Sequence, residues 1–250
     1  MNKNNGGTHM NINIVGCGQI APGEYESIRI GGSGKLAGLV RCAGFSTTGS
    51  SRGVELDCKG AVKVSGSSSF TKNITAESLS VTGSLDTGSD LVVRENLDCS
   101  GALQCGGSIR CGTVKVSGGV ETDGDVEAES VTVSGTLDCE GLLNAETIVI
   151  KGSGMRIGSI GGSTITIQRP KALGKLAKIP LLSTVIKTVS GMVEVPGGIE
   201  GDTIVLENVC TPRVSGRIVT VGEDCKIDLV QYSESISVSP NAKVARIEQV

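Results

Sequence analysis

Aromatic side chains are almost missing from this sequence: two Phe, two Tyr and no Trp among 250 residues. Any sizeable core must therefore be filled by aliphatic side chains, Ala and Cys. A single histidine, His9, excludes mechanisms and metal sites that need several imidazoles. Proline is sparse at six, whereas 37 glycines are about twice average usage, near 7%. Gly does not fall at every third position, which excludes collagen, and its abundance excludes a coiled coil. No apolar run is long enough for a membrane-spanning helix. The opening MNKNNGG has no apolar segment and does not read as a secretory signal. Charge of one sign is also lacking: 23 basic against 26 acidic residues give no field for gripping nucleic acid, and none is expected as a partner. The nine cysteines include no C-x-x-C pair and read as reduced thiols of a cytoplasmic protein, most of them packed as small hydrophobes.

What is present is a repeat. The alternating pair Val62/Val64 recurs as Leu79/Val81, Leu97/Cys99, Val114/Val116, Val131/Val133, Ile148/Ile150 and Ile165/Ile167, and backwards as Phe45/Thr47, Ile28/Ile30 and Ile12/Ile14. The step is 17 residues except for one of 16 and one of 18, the latter placed between Leu91 and Leu97. Two positions after each pair up to Ile148/Ile150 stands a glycine, as at Gly66, Gly83, Gly101, Gly118 and Gly135, and a Ser or Thr precedes it in most copies. Two further alternating columns share the period, one through Phe70, Thr87, Cys105, Thr122 and Cys139, the other through Ile74, Leu91, Ile109, Val126, Leu143 and Ile160. Three period-2 segments per coil, each in register with its copy one repeat away, predict parallel stacking into a three-sided parallel β-helix. The preference for right-handed crossovers predicts a right-handed coil. The glycines are expected to supply unusual turn angles, and the hydroxyl column beside them to hydrogen-bond from coil to coil.

The pattern fails after Ile167. Residues 169–192 carry Arg169, Lys171, Lys175, Lys178 and Lys187 without an acid, and Leu182, Val185, Ile186, Val189 and Met192 follow helical spacing. Coils resume through Leu206, Val221 and Val238, and through Ile199, Val214, Val230 and Ile247. The expected organisation is a flexible tail over 1–11, β-helix over 12–168, a basic, partly helical insert over 169–192, and further coils over 193–250. About thirteen coils at ~4.8 Å each make an all-β rod on the order of 60 Å long.

The coils ITAESLSVTGSL, VEAESVTVSGTLDCEGLLNAETIVIKG and GGSTITIQ resemble the bactofilin domain, and IEGDTIVLENV with VTVGEDCKIDLVQYSESISVSPNAKV resembles the C-terminal part of its longer, polymer-forming members. The resemblance runs from about Asn11 to Val250. It implies a right-handed triangular β-helix that polymerises end to end without nucleotide, as a bacterial cytoskeletal scaffold. The sequence differs from short bactofilins in having no long Pro-rich tails and in carrying the basic insert.

Little here points to catalysis. The coils are short and uniform, without the protruding loops and aromatic platforms of polysaccharide-cleaving β-helices, and His9 stands alone in a polar tail. Outward residues between the first-face pairs, among them Arg29, Lys63, Asp98 and Lys115, have the mixed charge that argues against an ice-binding array. Cys99, Cys105 and Cys111 occupy inward columns of one coil, so their thiols should converge on the axis; a three-thiolate metal site lacks its fourth ligand, and packing is the simpler role. No metal, cofactor or catalytic residue is expected, and no phosphate-binding glycine loop is present. The expected contact residues are Ile12 and Ile14 at one end of the rod and Val244, Ile247 and Val250 at the other, with the protein itself as partner. The insert has two open readings: a helix folded on the rod, or a segment that docks on a membrane surface or a partner, such as a cell-wall-associated protein at the inner face of the cell membrane. A monomeric binding platform is the alternative to a polymer.

Overall fold

Period-2 alternation fixes one side of each strand inward, and stacking in register fixes what lies above and below it. The computed structural model describes residues 10–169 and 191–250. They form an all-β parallel solenoid of about 13 turns, every strand pairing in parallel with the strand one coil away. The first-face ladder runs unbroken from Ile12↔Ile28 through Leu79↔Leu97 and Val131↔Ile148 to Val219↔Ile236. The second face stacks Phe70, Thr87, Cys105, Thr122 and Cys139, and the third stacks Ile74, Leu91, Ile109, Val126 and Leu143. The expected columns are thus the core, and Val64, Val81, Val116, Val133 and Ile150 are all at most 1% exposed. The one long step is a register slip opposite Glu77, where Ala76 pairs with Val93 but Ser78 with Asn96.

The stack does not restart after the insert. Ile160 pairs with Ile199 and Ile165 with Ile204, so the C-terminal coils continue the same columns. The insert leaves after Ile167, at the end of the first face, and the chain returns at Val193, which pairs with Val209 on the second face. It occupies the corner that glycine occupies in other coils. Its expected helical portion, with Lys171, Lys175, Lys178 and Lys187, lies outside the described residues, as does His9. Met10 and Asn11, expected in the tail, belong instead to the first strand, Met10–Ile14.

Two expectations about the corners are corrected. The glycine column has ordinary negative φ; its requirement is close approach. A Cβ on Gly66, Gly83, Gly101, Gly118 or Gly135 would run into the carbonyl oxygen of the glycine one coil before. The hydroxyls beside them are exposed and make no coil-to-coil side-chain bonds among the described residues. The backbone ties the corner instead: the Val81 carbonyl accepts from Ser100 N at 2.8 Å and from Gly101 N at 3.0 Å, and the Val116 carbonyl likewise accepts from Ser134 and Gly135. Such a shared carbonyl needs both donors to turn in over the previous coil, leaving no room for a side chain.

The few large and polar core residues are locally accommodated. Phe45 and Phe70 meet edge to face, with centroids 6.1 Å apart, and a Cβ on Gly53 would strike the Phe70 ring. Thr87 and Thr122 donate to the corner carbonyls of Lys72 (2.8 Å) and Gly107 (2.6 Å). Ser51 and Ser68 bond each other at 2.7 Å, while the buried Thr47 hydroxyl has no partner.

The close approach makes a paired prediction. Gly118→Ala should destabilise the protein by about 2 kcal/mol or more, because backbone bounds the site and cannot yield. Gly44→Ala, where the added Cβ meets nothing within 4 Å, should change stability by no more than about 0.5 kcal/mol. Urea unfolding of the two variants against the parent checks both; equal stabilities would remove the steric account of the column.

Candidate functional site: the rod ends and the base of the insert

A solenoid satisfies its backbone by stacking, so the coils at its two ends each have one ladder edge without a neighbour. The first strand, Met10–Ile14, pairs only with Gly23–Ile30 among the described residues. Ile12 and Ile14 are half-buried against the core below them, and Met10 (59%) and Val15 (80%) are exposed beside them. At the other end, Lys243–Gln249 pairs only with Lys226–Val238 among the described residues. Val244 is half-buried, and Ile247 (47%) and Val250 (71%) are exposed. Thus the five expected contact residues fall in two groups, one at each end. Val250 lies past the last strand, where its N–H donates to the Tyr232 carbonyl at 2.9 Å.

The base of the insert is a second constellation. Arg169 extends along the corner, its guanidinium donating to Asn208 Oδ1 (3.2 Å) and meeting Asp224 at 2.7 Å, and its N–H donating to Glu207 (3.4 Å). Asn208 Nδ2 donates to the carbonyl of Gly191, on the returning stem, at 3.0 Å. The Asn208 backbone N–H donates to Glu223 and its carbonyl accepts from Val193, so all four polar groups of this 2%-exposed side chain and its backbone are used. Asn208 has φ 60° and Asp224 φ 57°, the left-handed region that Asn and Asp tolerate best after Gly. Asn208 therefore clasps both stems of the insert to one point. Sequence reasoning missed it, although the signal was there: counted two positions past Leu206, the glycine column holds Asn.

A third feature was also missed. On the third face the inner column narrows from Ala145 to Gly162, Gly201 and Gly216, which stack in register without side chains. The face sinks there into an open groove of about 720 Å³, floored by Gly and Ser and bordered by Leu142, Arg213, Glu200 and Val250.

The thiols do not converge. Cys99 donates toward the Gly119 and Gly101 carbonyls, Cys105 toward Ser89 at 3.3 Å and Cys111 toward Thr113 at 3.1 Å, each at its own corner. A corner carbonyl within reach of each Sγ is the nearest acceptor, and the axis offers none. Among the described residues no three His, Cys, Asp or Glu side chains come together as a metal-binding group. Burial pushes the thiols of Cys99, Cys111 and Cys139 up to about 11. Cys42 and Cys58 face each other in register on adjacent coils; the Cys58 thiol beside it and burial raise Cys42, whereas the same pairing lowers Cys58. Thiols held protonated in this way are poor nucleophiles.

No family model, curated protein or solved structure matches the chain.

These thiols set an alkaline limit. A folded-state pKa raised above the ordinary thiol value means that the folded protein holds its protons more tightly than the unfolded chain. The stability this contributes is complete below pH ~9 and is lost as pH rises toward 11. The melting temperature should therefore fall between pH 9 and 11, and less steeply in Cys99→Val/Cys139→Ala. Parallel pH profiles for parent and variant would contradict the assignment.

Proposed function

We propose that this protein is a non-enzymatic, self-assembling scaffold of the bactofilin kind, which polymerises end to end without nucleotide and positions cell-envelope, shape or motility factors from the cytoplasmic side of the membrane. The observation that carries this reading is the pair of ladder edges that no strand among the described residues covers, each lying over aliphatic columns and flanked by exposed Met10 and Val15 at one end and Ile247 and Val250 at the other. Solenoids that stay monomeric usually cover such edges with a polar cap. A junction that adds one coil's worth of ladder forms a row of backbone hydrogen bonds, each worth about 1 kcal/mol net, and extends the aliphatic columns. That combination is of the size needed to offset the roughly 4–15 kcal/mol cost of association. Uniform short coils and buried, protonated thiols favour a structural role over a catalytic one.

The face-three groove favours a second reading, a monomeric platform that seats a partner on the rod's side.

Sedimentation and negative-stain microscopy over a concentration series separate the two. The parent should form linear oligomers or filaments without added nucleotide, and Ile14→Lys or Ile247→Lys should abolish them while the melting temperature changes little. A parent that sediments as a monomer at every concentration would favour the platform.

A further inference from the structure

One register pair in the core is chemically unlike the rest. Cys42, on the strand Leu39–Thr47, and Cys58, at the end of Glu55–Cys58, are direct partners in the parallel ladder of the third face. Both are buried, and their thiols are hydrogen-bonded to each other. Among the described residues no other cysteine has a cysteine as its register partner. Cys99 lies between Val81 and Val116, Cys105 between Thr87 and Thr122, and Cys111 between Val93 and Ala128. Neighbouring strands stand ~4.8 Å apart, inside the roughly 4.4–6.8 Å between Cα atoms that a disulfide spans. The two Cβ atoms must draw together slightly for a bond to form, so the product would be strained and readily reduced.

The two thiols differ in reactivity. The hydrogen bond with Cys42 lowers the ionisation of Cys58 against the burial that raises it, whereas every other shifted thiol among the described residues is raised. Cys58 is therefore the nucleophile of the pair and Cys42 the resolving thiol. The coils around them are also the most polar stretch of the core. Thr47 stands in the column of Val64, and Ser51 and Ser68 stand in that of Leu85. All three hydroxyl residues are buried, and that of Thr47 has no partner. Fewer apolar contacts lower the cost of opening these coils locally. At the corner just after Cys42, the half-exposed Gly44 leaves open space where a side chain would stand.

We propose that Cys42 and Cys58 form a reversible disulfide when a peroxide enters at this corner, stapling two adjacent coils near the N-terminal end of the rod. The Cys58 thiolate attacks one oxygen of hydrogen peroxide and the O–O bond breaks. The departing hydroxide takes up the proton that Cys58 released, leaving a sulfenic acid and one water. The Cys42 sulfur then attacks the Cys58 sulfur, the S–O bond breaks, and the leaving hydroxide takes the Cys42 proton as a second water. Two thiols lose two electrons to one peroxide, and a small dithiol returns them. The staple lies within one chain and does not depend on assembly at the rod ends.

Hydrogen peroxide treatment of the dilute full chain tests this, with remaining thiols alkylated and tryptic peptides read by mass spectrometry without reduction. Cleavage after Arg41, Arg52 and Lys59 puts the two thiols on separate peptides, 42–52 and 53–59. The oxidised parent should yield these peptides joined, lighter than their sum by two hydrogens, and dithiothreitol should release them. Amide hydrogen exchange over 54–58 should be at least about tenfold slower in the oxidised form, because the staple opposes local opening. Cys58→Ala, which places there the residue found next along the column at Ala76, should melt as the parent and give no joined peptide. Cys42 and Cys58 both still alkylated after a dose of peroxide that consumes the exposed Cys17 would overturn the proposal. So would a link that forms only in the urea-unfolded chain, or one that a non-reducing gel shows to join two chains.

Discussion

Each strand of this rod hydrogen-bonds only to its copies one coil before and one coil after, so the register between coils is the constraint on which everything else depends. Register stacks Val64 on Val81 and Leu79 on Leu97, and a core almost without aromatics then closes mainly on aliphatic side chains. It draws consecutive corners so close that only glycine fits where two N–H groups share one carbonyl. The same rule leaves the end coils with unpaired edges, because nothing within the described chain stacks on them.

Register also explains how the rod tolerates a large insertion. The ladder crosses it without a slip, Ile160 to Ile199 and Ile165 to Ile204, because the extra chain leaves and returns at one corner. That corner cannot be turned by the usual glycine, since the chain must open there to release the insert. The next coil supplies the closure instead: Asn208, in the left-handed region, bonds Arg169 on one stem and Gly191 on the other. Both stems of the insert thus meet at one fixed base.

Most of the architecture was legible because a 17-residue period exposes columns directly. The core residues, the three faces, the position of the extra residue between Leu91 and Leu97, and the two groups of end residues all come from counting. What was not legible depended on distances that a sequence does not carry. Spacing alone assigns the glycines to turn angles, whereas their role is to let one corner approach the next. Their inward columns point Cys99, Cys105 and Cys111 toward the axis, whereas each sulfur finds a carbonyl at its own corner. The continuity of the stack was hidden because no period search at 17 residues links Ile165 to Ile204. The groove on the third face was hidden because Gly162, Gly201 and Gly216 look like ordinary substitutions until their stacking removes a whole column of side chains.

Fibre diffraction from oriented assemblies bears most directly on the claim that the rod grows by stacking coil on coil. Continuous stacking across junctions predicts a strong meridional reflection near 4.8 Å, with an axial repeat of about thirteen coils, on the order of 60 Å. A 4.8 Å reflection on the equator would place the rod axis across the direction of growth and contradict the account.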